Sequence, residues 1–189
     1  MSALSSCVLA ELGLRQPLYA ILDGARDPRI RGWVLDTRAP SWCLYRGALP
    51  AAVEDAAPWL LRLVPGHSYV EQFFARGWHQ SWGILLACAA PSRELRRHLR
   101  RFLRVRTEDG RILVFRYYDP RVLRAYLPTC TPAEIAAFFG CISSMVAEAG
   151  DAGTAHVFRP TKKGLDARLL QLPPASPIAA PGPEQRSRP

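Results

Sequence analysis

Eleven of the chain's 23 arginines fall between residues 93 and 124, where only Glu94, Glu108, Asp109 and Asp119 oppose them. That window carries +7 of a net charge of +9. Arg93, Arg97 and Arg101 form one column at i,i+4 spacing, and Arg96, Arg100 and Arg104 form a second. On a helix, each such like-charge pair costs roughly 0.2–0.5 kcal/mol at low salt. A helix carrying that cost suits an anionic partner: nucleic acid, an acidic protein surface, or carboxylates of the same fold. A solvated face of helix-favouring arginines is the plainer alternative. The next stretch, Gly110–Tyr118, mixes aromatics with arginines as an RNA-recognition strand does, yet it lacks the glycine and aromatic pattern of that motif.

Groups suited to covalent or acid–base catalysis are thinly spread. The chain has no Gly-x-Gly-x-x-Gly, no Walker-type phosphate loop, no Gly-x-Ser-x-Gly elbow and no His-Glu-x-x-His helix. His67, His79, His98 and His156 stand apart and read as surface or partly satisfied side chains. Cys7, Cys43, Cys88, Cys130 and Cys141 are odd in number, widely spaced and without a Cys-x-x-Cys pair. They read as small apolar thiols rather than metal ligands. Asp23 follows the first apolar run, where α/β enzymes often keep a carboxylate; a turn residue bonding its own backbone is the simpler reading. No catalytic residue, metal or cofactor is expected.

The elements that would position these residues follow from local signals. Ser2–Leu14 reads as a helix stopped near Gly13, and Leu18–Gly24 as a buried strand ending in a turn. Asp27-Pro28 opens a helix over Arg29–Asp36. Trp42–Tyr45 and Trp59–Leu63 are strands bounded by proline and glycine, Ser68–Arg76 is a helix, and Trp82–Cys88 is a buried strand. Ser92 caps an amphipathic helix with Leu95, Leu99, Phe102 and Leu103 on one face. Asp109-Gly110 turns a hairpin between Val105–Thr107 and Ile112–Tyr118. Asp119-Pro120 opens a helix to Leu127, and Thr131-Pro132-Ala133-Glu134 is a capping box for one ending at Gly140. Ile142–Ala147 and Ala155–Phe158 form a last strand pair.

With 189 residues, 49% hydrophobic and 22% charged, the chain suits one ordinary domain. No apolar run reaches the roughly 18 residues of a membrane span. The N-terminus has neither a basic n-region nor an apolar h-region, so a soluble, cytoplasmic protein is expected. The expected fold is α/β, a mixed β-sheet core with flanking helices plus a helical C-terminal lobe. Residues 1–160 form the single domain. Residues 161–189 form a Pro-rich tail expected to be disordered, six prolines lying in 173–189.

Trp78, Ser81-Trp82-Gly83-Ile84, His98-Leu99-Arg100-Arg101-Phe102 and above all Phe115-Arg116-Tyr117-Tyr118-Asp119-Pro120-Arg121-Val122-Leu123 resemble one family. It is the bacterial type VI secretion effector-adaptor, or effector-chaperone, domain. Tyr19–Gly24 and Phe138-Phe139-Gly140 are similar too, and the resemblance runs from about Leu18 to Phe158. One departure is Cys141, where proline is expected after Gly140. The resemblance implies a non-catalytic loading factor. Such a protein binds a type VI secretion effector, often through the effector's N-terminal segment, and delivers it to the spike (VgrG-like) protein.

Candidate partner-binding residues are then Arg97 and Arg101 of the basic helix; Arg116, Tyr118, Asp119 and Arg121 of the central block; and Phe138 and Phe139. The block's alternative role is structural: Asp119 would cap the helix from Pro120, while Arg116 and Arg121 compete for a carboxylate of the same fold, such as Asp23. A groove between the α/β part and the helical lobe is the expected client site, filled by a client helix or by a strand added to the sheet. The rival function is a basic nucleic-acid-binding module using the arginine-rich helix and hairpin.

Overall fold

A strand that is apolar at every position must be covered on both faces, and Leu18-Tyr19-Ala20-Ile21-Leu22 meets that condition at the centre of the protein. The computed structural model describes residues 1–174. Helix α1 (Ala3–Leu12) leads into β1 (Leu18–Asp23), α2 (Arg29–Asp36), β2 (Ser41–Cys43), α3 (Ala51–Asp55) and β3 (Pro58–Leu63). Next come α4 (Ser68–Arg76), β4 (Gly83–Cys88), α5 (Ser92–Arg100) and a hairpin of β5 (Arg104–Arg106) and β6 (Ile112–Val114). Helix α6 (Pro120–Tyr126), a 3-10 turn over Leu127–Thr129 and α7 (Pro132–Phe139) follow. The chain then forms β7 (Ile142–Glu148), β8 (Thr154–Thr161) and β9 (Gly164–Gln171).

Seven strands make one antiparallel sheet in the order β2-β3-β1-β4-β7-β8-β9, while β5 and β6 pair only with each other. In β1, Leu18 lies opposite Leu63 of β3 on one side and Ala87 of β4 on the other. Where β4 crosses β1, Gly83 is required: a Cβ there would sit 1.9 Å from the Ile21 carbonyl oxygen. The period-two alternation of strands divides the apolar residues between two cores. Leu18, Ala20 and Leu22 join Val8, Ile30 and Phe73 of α1, α2 and α4. Tyr19 and Ile21 join Leu95, Leu99, Leu123 and Phe138 of α5, α6 and α7. The sheet is therefore the middle of three layers.

Local capping signals hold well. The Ser2 hydroxyl accepts from the Ser5 N–H at 3.1 Å, and Asp27 Oδ1 from the Arg29 N–H at 2.9 Å. Thr131 and Glu134 form the reciprocal capping box. Gly140 ends α7 at φ +52°, with its α-carbon so close to His98 that a Cβ would lie 2.4 Å from the imidazole. Ser92 differs: it is the first residue of α5 and makes no capping hydrogen bond, Pro91 holding the cap position.

The α/β composition is as expected, but the helical part is not C-terminal. Helices α5–α7 are inserted between β4 and β7, and the chain after Gly140 is a meander of three strands. Residues 164–171, assigned by composition to the tail, form β9, which pairs with β8 from Thr161↔Gly164 to Thr154↔Gln171. Positions 175–189 of that tail lie outside the described residues. The strand expected to run to Tyr118 stops at Val114 because Tyr117 and Tyr118 turn inward together, both buried.

Candidate partner-binding cleft

The block Phe115–Leu123 ties the inserted helices to the sheet. Arg116 Nη2 pairs with Asp23 Oδ2 at the end of β1; the Asp23 side chain is wholly buried and that of Arg116 is 39% exposed. Asp23 Oδ1 also accepts from the Ala25 N–H at 3.1 Å, the turn bond expected of it. Burial pushes the Asp23 carboxyl up, and the Arg116 guanidinium pulls against that rise. Asp119 caps α6 through the Arg121 N–H at 2.9 Å and holds the Arg121 guanidinium at 3.0 and 2.6 Å. Burial works to raise the Asp119 carboxyl, but the Arg121 donors and the Arg116 charge outweigh it and hold it below its usual value. Tyr117 donates its hydroxyl to the Leu99 carbonyl at 3.0 Å, and burial raises the Tyr117 and Tyr118 phenols well above their ordinary value.

Tyr118, Phe138 and Phe139 do not form a partner surface. They are core residues: Tyr118 turns inward ahead of α6, and Phe138 and Phe139 sit with Ile135 at i, i+3 and i+4 on the side of α7 that faces the sheet. Phe138 meets Phe102 and Tyr117 edge-on, with ring centroids 5.1 and 5.6 Å apart. His98 belongs to the same layer, its Nε2 lying 2.8 Å from the Phe138 carbonyl. A carbonyl only accepts, so Nε2 carries the proton. Burial lowers the His98 pKa and favours the neutral ring.

A third buried carboxylate escaped sequence reasoning. Glu148 accepts from the Ser81 N–H at 2.8 Å, the Ser81 hydroxyl at 3.0 Å and the His79 N–H. His79 and Ser81 both have positive φ, 65° and 56°, so this carboxylate holds a left-handed loop in place before β4. Nothing in the sequence around Glu148 marks it, because its partners are 67 and 69 residues away. Asp23, Asp119 and Glu148 are thus all engaged in holding the fold together.

A cleft lies at the C-terminal end of α5, on its outward side. The segment after β2, helix α3, the C-terminal half of α5 and the base of the β5–β6 hairpin enclose a cleft of about 850 Å³. Its floor is aliphatic: Leu44, Leu49, Val53, Leu103 and Val114. Its rim is cationic: Arg46, Arg97, Arg100, Arg101 and Arg104. Arg100 is anchored, donating from Nε to the Leu44 carbonyl at 2.8 Å and from Nη2 to the Cys43 carbonyl at 3.1 Å. Desolvation, with the nearby charges of Arg96 and Arg46, lowers its pKa. Among the described residues, Arg46, Arg97, Arg101 and Arg104 form no ion pair.

Of the candidate residues, then, Arg97 and Arg101 reach this rim, whereas Arg116, Asp119 and Arg121 lie together at the start of α6. Arg46, Leu49 and Val53 had no sequence signal at all; only the fold sets their segment against α5. Among the described residues, no cluster of His, Cys, Asp and Glu could hold a metal ion, and no helix is long and apolar enough to cross a membrane.

Comparison with protein families finds that residues 18–137 match the family described as Domain of unknown function (DUF4123). That range starts at β1 and runs into α7, taking in the Asp23–Arg116 pair and every lining residue of the cleft. No curated protein and no solved structure matches the chain.

Proposed function

The chain belongs to the DUF4123 family, and we propose that it is a non-catalytic adaptor that binds a type VI secretion effector by its N-terminal segment and loads it onto the spike protein in the cytoplasm. One observation carries this reading: the cleft joins an aliphatic floor to a rim of arginines that have no acidic partner. Such a lining suits the side chains of another polypeptide, since protein interfaces combine an apolar core with a polar rim and are enriched in arginine. The block that resembles effector adaptors lies inside the matched residues, and its charged side chains are engaged in the fold. That fits a scaffold which keeps the cleft in shape. A tagged copy recovered from its native cells after nuclease treatment should bring down a spike protein and one large effector, identified by mass. Recovery of neither would overturn the reading.

The unpaired rim favours a second reading, a nucleic-acid-binding module. Tyr45 is the one aromatic among the lining residues, so the cleft offers little on which bases could stack. Binding that disappears with nuclease and falls steeply with salt would favour this alternative.

A further inference from the structure

We infer that the cleft receives an acidic amphipathic helix of the cargo protein, with aliphatic side chains on the floor and carboxylates on the arginine rim, an assignment that rests on the adaptor reading above. Charge gives the sign of the occupant. Four unpaired guanidiniums surround the cleft and no carboxylate lines it. Arg100 already feels the neighbouring Arg96 and Arg46 charges, so an empty cleft holds like charges together that an anionic occupant would relieve.

The apolar floor gives the occupant's other half. Val53 is 41% exposed and Val114 57%, although both are aliphatic residues beside a recess. The same pattern continues out of the cleft along one face of the hairpin. Arg104 lies opposite Val114 and Arg106 opposite Ile112, and residues two apart on a strand share a face. Ile112 is 60% exposed. A helix leaving the cleft along this face would meet aliphatic side chains and arginines side by side again.

On the β2 side of the cleft, the backbone favours a helical occupant over an added strand. Arg100 occupies the Cys43 and Leu44 carbonyls, so the chain beside β2 is not free to pair with an added strand there. An occupant held by side chains must satisfy its own backbone groups, which a helix does.

Fluorescence anisotropy with the full chain tests this using labelled peptides of equal length. One carries leucines at i, i+3, i+4 spacing with glutamates between them, a second has serine for leucine, and a third has lysine for glutamate. A single-stranded oligonucleotide serves as the fourth probe. The Glu/Leu peptide should bind best, and more weakly as salt rises. Arg97→Glu with Arg104→Glu should weaken it at least about tenfold and strengthen the Lys/Leu peptide, with little change in the thermal midpoint. Val53→Asp, at an exposed position, should weaken it too.

Equal binding of the Glu/Ser peptide would overturn the role of the floor, and equal binding of the Lys/Leu peptide that of the rim. Tighter binding of the oligonucleotide would overturn the assignment in favour of nucleic acid. Cargo co-purification separates the two levels. If wild type and the double variant retain cargo equally, the cleft assignment fails and the adaptor reading stands. If wild type retains no cargo yet binds the Glu/Leu peptide as expected, the adaptor reading fails and the cleft's chemistry stands.

Discussion

Arginines within one short stretch of sequence divide into two populations. Arg116 and Arg121 each reach a carboxylate, Asp23 and Asp119, whose side chains are 0% and 4% exposed. Arg97, Arg101 and Arg104 reach none and stand around an aliphatic cleft. The residue type is the same and the local charge density is similar. For Arg116 the difference lies in the carboxylate that the end of β1 sets opposite it, whereas Arg121 pairs with the helix-cap residue two positions before it. A buried carboxylate costs several kcal/mol unless it is paired, so the first set is held by folding. Water solvates the second set at little cost, which leaves it free for a partner.

The comparison would be broken most sharply at Arg116. Arg116→Ala should destabilise the protein by about 2–4 kcal/mol in denaturant unfolding, below the full range for buried pairs because Arg116 keeps partial contact with water. Removing both partners, as in Asp23→Asn with Arg116→Met, should recover part of that loss. A loss under about 0.5 kcal/mol for Arg116→Ala would place this arginine with the solvated set. Asp119→Ala comes next, at about 1–2 kcal/mol, from a lost helix cap and a lost hold on Arg121.

A smaller effect distinguishes the two sides of α5, where His98 faces inward and Arg97 outward. Burial lowers the His98 pKa; Arg101 adds to that, while the Phe138 carbonyl and Glu94 oppose it. As pH falls through about 6.5, the unfolded chain therefore takes up a proton before the folded one does. His98 then favours folding fully only above that pH, and its contribution declines on acidification. Relative to a His98→Gln variant, which keeps a donor for Phe138, the wild type should lose stability between pH 7.5 and 5.5, by at most about 1.4 kcal/mol per pH unit. A parallel pH profile for the two proteins would contradict this. The smallest effect is expected at the rim: Arg97→Ala should change stability by no more than about 0.5 kcal/mol, with a slight gain at low salt as like-charge repulsion is relieved. A loss as large as that of Arg116→Ala would erase the distinction.

Signals that act within a few residues are legible in the chain itself. Helix α2 spans Arg29–Asp36 after its Asp27-Pro28 start, α4 spans Ser68–Arg76 up to its Gly77 stop, and the Thr131–Glu134 box forms as expected. The Asp27 and Thr131 side chains satisfy backbone groups next to them, and Gly77 ends α4, so each signal acts locally. Strand β9 is illegible because Gly164–Gln171 has four exposed positions in a row and a mixed composition; it is a strand because β8 pairs with it. Arg97 and Arg101 are legible as an unusual charge column. Their floor is not, since Leu49 and Val53 sit in an ordinary segment more than 40 residues away in the chain.

The α/β composition, most helix boundaries, the amphipathic side of α5 and the excess of arginine in one window all follow from sequence alone. Propensity, capping and periodicity are local, and they survive whatever tertiary structure follows. Only the assembled fold settles that three helices are inserted against one face of an antiparallel sheet, and that Tyr118, Phe138 and Phe139 are core. It also settles that Arg116 finds Asp23, 93 residues away, while Arg97 and Arg101 stand at the cleft. Those outcomes depend on which distant strands pair and what each layer buries, and desolvation acts on a charge only once the fold has enclosed it.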